Sequence, residues 1–477
     1  MADCARVGEL STQRGKPPYA QTPPKYKMTD IPSPGQRPWR LKWLGWIGLS
    51  MVLTAALWWW AGSTKSMTPN AFSHLTESLG LHNSPGLTWQ LRFDSPAVAP
   101  HTTPGQDPEQ LVRQIYSQLG EGERAHALAT ASVLAERFPT FQLGQLLYAD
   151  LLNISSASPV AWPDAEELNA PSLRKRLDEL ILESKRRLQR DTVQSLQGKI
   201  PAALAFLNPQ QAYVAAVDAS KSRLYWFENR SGHDGRLQLH LVKETYISVG
   251  INGVGKDKEG DGKTPLGIYF ILRNLPGNGL PDLFGVGALT LNYPNAVDLM
   301  RKKTGSGIWL HGTPSAQYAR APESTDGCIV LANPEMGRLL QMPELRMTPV
   351  VIAEQLEWVN ANEAGQTWAA FKPTLDKWLL ARTGRDPEAL KTHYSPRYEQ
   401  DGMDLAQAWP RLSQTTLGHS QTQPLELVSV LNWKDQDNTM VVTMKDPNQT
   451  HPQGSAYLRM YWQKENDQWR LVFQGPT

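Results

Sequence analysis

Two residues in this sequence carry the types and setting that chemistry needs. Cys328 lies in STDGCIVLANPEM, and His311 lies 17 positions upstream in GIWLHGTP. A thiol works as a nucleophile when a base takes its proton, backbone donors receive the developing oxyanion, and the chain beside it lets a carbonyl approach. His311 is the candidate base. Gly327 leaves room next to the sulfur, and the Gly327 and Cys328 amides are candidate oxyanion donors. His311 also needs an acceptor for its second ring nitrogen, to set the tautomer, and the backbone at Gly312 offers one. Thr325 and Asp326 flank the thiol as candidate substrate contacts. Three cations stand near in sequence: Lys256 and Lys263 in the glycine-rich stretch INGVGKDKEGDGKTP, and Arg320 between His311 and Cys328. Composition alone leaves two other readings open for Cys328: a small buried apolar residue, or half of an intermolecular disulfide.

These side chains need strands to hold them. From Gln211 onward, AYVAAVD, SRLYWFEN, LQLHLVKETYISVG, GIYFI and GIWLHGT alternate or run apolar between turn residues, the pattern of a β-rich unit. After the CIVL strand, Asn333, Pro334 and Glu335 predict a helix start, with Asn333 as its N-cap. Upstream, PEQLVRQIYSQL, ERAHALATASVLAERFP and FQLGQLLYADLL carry apolar residues at helical spacing. Together they predict a helical, tetratricopeptide-like section over 108–200. The helix PSLRKRLDELILESKRRLQRD that follows reads as amphipathic, with its basic residues on a solvated face. A helix around TWAAFKPTLDKWLLARTG, kinked or broken at Pro373, and two hairpins predict an α+β section over 365–477.

The chain has 477 residues and a net charge of +2, which excludes a strongly basic nucleic-acid binder. Residues 43–62, WLGWIGLSMVLTAALWWWAG, form an uncharged run with tryptophans at both ends, long enough to cross a bilayer. The 42 residues before it hold eight basic and three acidic side chains, a net +5. The expectation is a single-pass inner-membrane signal anchor, with a cytoplasmic tail (1–42) and a linker (63–107) leading to outer domains. LTWQLRF within the linker reads as a short strand. Cys4 and Cys328 would then lie on opposite sides of the membrane. No His, Cys or Asp grouping has metal-ligand spacing, and neither metal nor cofactor is expected.

HGT, with the cysteine of Thr325-Asp326-Gly327-Cys328 standing 17 positions after His311, resembles the L,D-transpeptidase catalytic domain of YkuD type. EGDGKTPLGIYFI resembles that family's Gly-Asp-x-x-Thr-Pro-x-Gly segment, and NYPNAVDL resembles a stretch of a Gram-negative subgroup. The resemblance covers about residues 211–354, and the last section resembles the nuclear-transport-factor-like cone fold. It implies a multidomain, membrane-anchored protein: an α-helical outer domain, a β-rich L,D-transpeptidase-type catalytic domain and a C-terminal α+β cone domain. It also implies a periplasmic cysteine enzyme acting on the stem peptides of peptidoglycan. Cys328 would attack the L-centre–D-Ala carbonyl, and the acyl group would pass to an amine. Alternatives are hydrolysis of the same acyl-enzyme (L,D-carboxypeptidase or wall–protein amidase) and a non-enzymatic wall-binding scaffold. The helical and C-terminal domains offer surfaces for a protein partner. Two positions depart from the family's pattern: Asp326, where histidine is usual, and Val330, where arginine or asparagine is common. Lys256, Lys263 and Arg320 are therefore the candidates for reading a substrate carboxylate.

Overall fold

The computed structural model describes residues 107–156, 171–189, 196–233, 236–400, 402–417, 424–447 and 456–477. These belong to one compact unit, Asn70–Thr477; the other, Met1–Pro69, lies outside the described residues. The tail, the apolar run, the linker up to residue 106 and its LTWQLRF strand also lie outside them. Among the described residues no helix is long and apolar enough to cross a membrane.

Among the described residues four helices come first: α1 (Pro108–Gly120), α2 (Arg124–Arg137), α3 (Gln142–Ser155) and α4 (Pro171–Leu188). Asp107 caps α1 by accepting from the Gln110 amide at 2.8 Å. Leu111, Ile115, Leu134, Leu143 and Leu147 form their shared core, and the small Ala127 and Ala131 let the helices approach closely. The end of α4 departs from the solvated face expected of it. Arg187 is buried between the rings of Tyr246 (3.9 Å) and Phe141 (4.9 Å) and pairs with Glu183 at 2.8 Å.

Strands β1 (Lys199–Pro201) and β2 (Leu204–Leu207) precede a closed sheet. That sheet is built from β3 (Tyr213–Asp218), β4 (Arg223–Asn229), β5 (Leu239–Gly250), β6 (Gly267–Pro276), β7 (Gly287–Leu291), β8 (Trp309–His311), β9 (Glu323–Thr325), β10 (Ile329–Leu331) and β11 (Pro349–Ala353). The order is β10-β8-β7-β6-β11-β3-β4-β5-β9, and a further β10–β5 pairing closes it into a barrel. Short helices α5 (Ala296–Met300) and α6 (Asn333–Leu340) sit in its connections. Strand β3 is apolar almost throughout because both its faces are covered. Ala215 and Val217 join the barrel core, whereas Val214 and Ala216 pack against the C-terminal sheet.

After β12 (Trp358–Asn360), α7 (Ala361–Thr383) begins on an Asn360 cap and continues unbroken through Pro373. Next come α8 (Pro387–Lys391), the small hairpin β13 (Glu399–Gln400) and β14 (Met403–Asp404), and α9 (Leu405–Leu417). Strands β15 (Glu426–Lys434), β16 (Asn438–Lys445), β17 (Tyr457–Glu465) and β18 (Gln468–Pro476) form an antiparallel sheet, and β2 is its fifth strand, on β15. One face of this sheet packs Met440, Val442 and Trp462 against Phe371 and Trp378 of α7.

Ion pairs bind the helices to the barrel. Arg223 of β4 is fully buried, pairing with Glu109 of α1 and lying 3.6 Å from Glu244 of β5. Removing one partner of a buried pair strands the other. Arg223→Ala is expected to lower the unfolding free energy by about 3–5 kcal/mol, measured by urea denaturation. A loss below about 0.5 kcal/mol, the size of an ordinary surface change, would mean the pair holds nothing.

Candidate active site

Cys328 and His311 come together through strand register. In the parallel β8–β10 pair, Ile329 lies beside Leu310 and Val330 beside His311. Side chains repeat every second residue along a strand, so Val330 and His311 share one face, and Cys328 stands one residue before β10. Neighbouring strands lie about 4.8 Å apart and rise about 3.3 Å per residue. A two-residue diagonal therefore leaves the two α-carbons roughly 8 Å apart, within side-chain reach.

The imidazole is held firmly. His311 Nδ1 is 2.7 Å from the Gly312 carbonyl, so an Nδ1–H donor leaves Nε2 as the acceptor. Phe284, in a short 3₁₀ turn (Asp282–Phe284), meets the ring edge-on at 5.1 Å. Asn333 supports the next residues: its Nδ2 donates to the Thr313 carbonyl at 2.8 Å and its Oδ1 accepts from the Val286 amide at 3.1 Å. A Cβ on Gly312 would lie 2.1 Å from that Oδ1, so the close approach requires glycine here. Asn333 is therefore not the N-cap of α6. Ala332 occupies that place, and the asparagine side chain braces the histidine loop.

The thiol is partly accessible but walled in by strand ends. Its sulfur donates to the Gly307 carbonyl at 3.4 Å and receives the Trp309 N–H. Burial pushes its pKa up to about 11, reinforced by the Asp326 charge and opposed by the Trp309 N–H, Arg320 and Lys256. Burial likewise depresses His311 to about 4; the Gly312 carbonyl works against this and the Arg320 charge works with it. Burial therefore favours the thiol and the neutral imidazole over a thiolate–imidazolium pair.

The turn before Cys328 is braced from within. Thr325 Oγ1 donates to the Cys328 carbonyl at 2.7 Å and accepts the Gly327 amide at 3.1 Å, while Thr264 Oγ1 donates to the Gly327 carbonyl at 2.9 Å. Two expectations change. The Gly327 amide is engaged by Thr325 and does not face an oxyanion, and the buried Thr325 supports the turn instead of contacting substrate. Gly327 is still required: its φ is +122°, and a Cβ would lie 2.5 Å from the Lys263 carbonyl. Gly327→Ala is expected to cost about 1–3 kcal/mol of stability through backbone strain. It should also displace the thiol, and thermal unfolding with the alkylation rate of Cys328 checks both.

The cations divide. Lys256 is buried, with Nζ 2.7 Å from Asp261 and 3.0 Å from the Lys258 carbonyl. Although burial pushes the Asp261 carboxyl up, bonds from Lys256 and the Asp257, Lys258 and Lys263 amides hold it well below the usual carboxylate range. Lys256 therefore closes its own loop and is not free to meet a ligand. Lys263 is half-buried beside the Gly327 turn, and Asp326 is exposed. Arg320 is half-exposed, donates to the Ser324 carbonyl and acts electrostatically on both His311 and Cys328. Among the described residues no group of three or more His, Cys, Asp or Glu is placed to hold a metal ion.

Residues 212–352 match the L,D-transpeptidase catalytic domain family, YkuD. That segment contains the barrel up to Ile352, with His311, Cys328 and the contacts that brace them. No curated protein matches the chain. Among solved structures, Bd1075 of Bdellovibrio bacteriovorus aligns at 24% identity over 58% of this chain and 98% of its own, with a TM-score of 0.45. The helical cell shape determining protein Pgp2 of Campylobacter jejuni aligns at 20% identity over 55% and 91%, with a TM-score of 0.43. An L,D-transpeptidase from Mycobacterium smegmatis aligns at 13% identity over 30% and 58%, with a TM-score of 0.19.

Sequence reasoning missed Phe284, Thr264 and the bracing role of Asn333. Thr264 lies inside the GDGKTP segment and was legible as part of that motif. Phe284 left no signal, because a lone aromatic beside a glycine has no periodicity.

Proposed function

We propose that this chain is a membrane-anchored, periplasmic peptidoglycan enzyme of L,D-transpeptidase type, in which Cys328 is the nucleophile and His311 the base. The observation that carries this reading is the β8–β10 register, which sets His311 beside Val330, two residues from Cys328, with His311 Nδ1 held by the Gly312 carbonyl. As the sulfur attacks the L-centre–D-Ala carbonyl, the S–C bond forms and the thiol proton passes to His311 Nε2. The tetrahedral intermediate then breaks its C–N bond, and D-Ala leaves with that proton, giving a thioester. An acceptor amine attacks the thioester, gives its proton to His311 and restores the thiol. Because the resting pair is neutral, proton removal accompanies attack. The uncharged run at 43–62 and the +5 tail support an outside location for the catalytic segment, and the α+β section after it fits an accessory cone domain.

The test incubates the purified full chain with defined muropeptides, with and without an acceptor amine, and resolves products by mass. Loss of D-Ala with a new amide bond supports transpeptidation. Loss of D-Ala with addition of water assigns hydrolysis of the same intermediate. No product, and no adduct on Cys328 from a mechanism-based acylating agent, would leave only a scaffold role.

A further inference from the structure

The segment joining His311 to Cys328 does not close on the barrel alone. Its middle is seated in the helical section. The Tyr318 ring lies 5.5 Å from Phe138 and 5.2 Å from Phe141, tilted 67° and 59° to them. Its amide donates to the Thr140 carbonyl at 3.1 Å, and Tyr318 and Ala319 pack on the apolar core of the helices. Phe138, Thr140 and Phe141 all come from the α2–α3 turn, a place remote in sequence from the barrel.

Two residues on, the Arg320 carbonyl accepts from the Tyr246 hydroxyl at 2.9 Å and from Ser248 Oγ at 3.0 Å. The Tyr246 ring in turn lies beneath the Arg187 guanidinium of α4. Arg320 is therefore bracketed by helical contacts: Tyr318 on the chain before it and the Arg187–Tyr246 stack beneath its carbonyl. Its guanidinium is the cation that acts on both members of the catalytic pair. With Lys256 closed on Asp261, Arg320 is also the better placed of those two to meet an anionic ligand.

We propose that the helical section is a positioning element for the active site: its Phe138–Phe141 seat holds Tyr318, and thereby fixes Arg320 beside Cys328 to receive the substrate's carboxylate. The substrate half of this inference rests on the function proposed above; the seat itself does not. Tyr318 and Phe138 are positioning residues, and Arg320 is the group that touches substrate. The seat uses the aromatic ring of Tyr318, so phenylalanine should serve and alanine should not.

The test compares Tyr318→Ala, Tyr318→Phe, Phe138→Ala and Arg320→Ala in the full chain. One readout is KM and kcat on a muropeptide. The other is the pH profile of iodoacetamide alkylation, read by mass on the Cys328 peptide because Cys4 is also a thiol. Loss of the Arg320 charge removes an influence that favours the thiolate, so its alkylation profile moves to higher pH. Tyr318→Ala and Phe138→Ala should move it the same way and raise KM about tenfold, a loss of about 1.4 kcal/mol. Tyr318→Phe should match the wild type. Adding Arg320→Ala to Tyr318→Ala should change little more, because the two act as one unit. A wild-type KM and profile in Tyr318→Ala, or fully additive effects, would overturn the proposal whatever happens to the melting temperature. Should Tyr318→Ala fail to fold, Phe138→Ala decides by the same criteria. Should the wild type turn over no muropeptide, the proposed function fails, while the alkylation comparison still tests the seat.

Discussion

Replacing Cys328 by alanine is expected to abolish muropeptide turnover while the protein keeps its unfolding transition. The loss should be about a thousandfold or more, because a nucleophile acts with its base as a unit and nothing else in the site replaces it. The stability change should stay near 1 kcal/mol. The sulfur is partly accessible, it bonds to the Gly307 and Trp309 backbone, and alanine leaves β10 unchanged. Product analysis by mass and a thermal melt measure the two effects. A variant that unfolds, together with a wild-type thiol that resists alkylation, would make Cys328 a core residue instead of a nucleophile.

His311→Ala should lower kcat/KM by about 10²–10⁴-fold, the usual worth of a positioned general base. The wild-type pH profile tests the same residue without mutation. Only neutral imidazole accepts the thiol proton. Burial lowers the His311 pKa to about 4, so the competent form is complete above that value and lost as pH falls through it. The acid limb of kcat/KM belongs near pH 4, well below the ordinary histidine value of about 6.5. Stability follows the same sign: the unfolded histidine binds a proton below about 6.5, so this contribution is present above that pH and fades towards 4. Alkylation of Cys328 should climb through the alkaline range, because burial raises the thiol to about 11. Rapid alkylation of Cys328 well below neutrality would mean a preformed thiolate–imidazolium pair.

The proposed Cys328–His311 pair could be read from the sequence because its logic is local. His311 ends an apolar strand, its carbonyl partner is the next residue, and the glycine before Cys328 marks a backbone that L side chains rarely adopt. The barrel strands showed themselves by period and by continuous apolar runs. What stayed hidden depends on how loops fold back on themselves and on partners far away in the chain. Lys256 looked like a loop cation until Asp261 folded back on it. Asn333 had the composition of a cap, but its side chain found Thr313 and Val286. Arg187 read as solvated because helical periodicity cannot reveal a tyrosine waiting on β5. The thiol's high pKa follows from desolvation, which no motif encodes.

Strand β2 has a consequence for how this protein is made. Its neighbour Asn208 bonds to Leu427, 219 positions further along the chain. Synthesis proceeds at about 5–20 residues per second. An edge that belongs beside β15 therefore waits about 10–40 s for its partner to emerge, while the whole barrel is completed in between. The final sheet is assembled last, from pieces made before and after the barrel. A gene fragment beginning at the α7 helix would encode four strands of a five-stranded sheet, with the β15 edge bare and open to pairing with another chain. Any excised C-terminal piece that is to stay soluble has to carry residues 204–207 with it, as a fused or added strand.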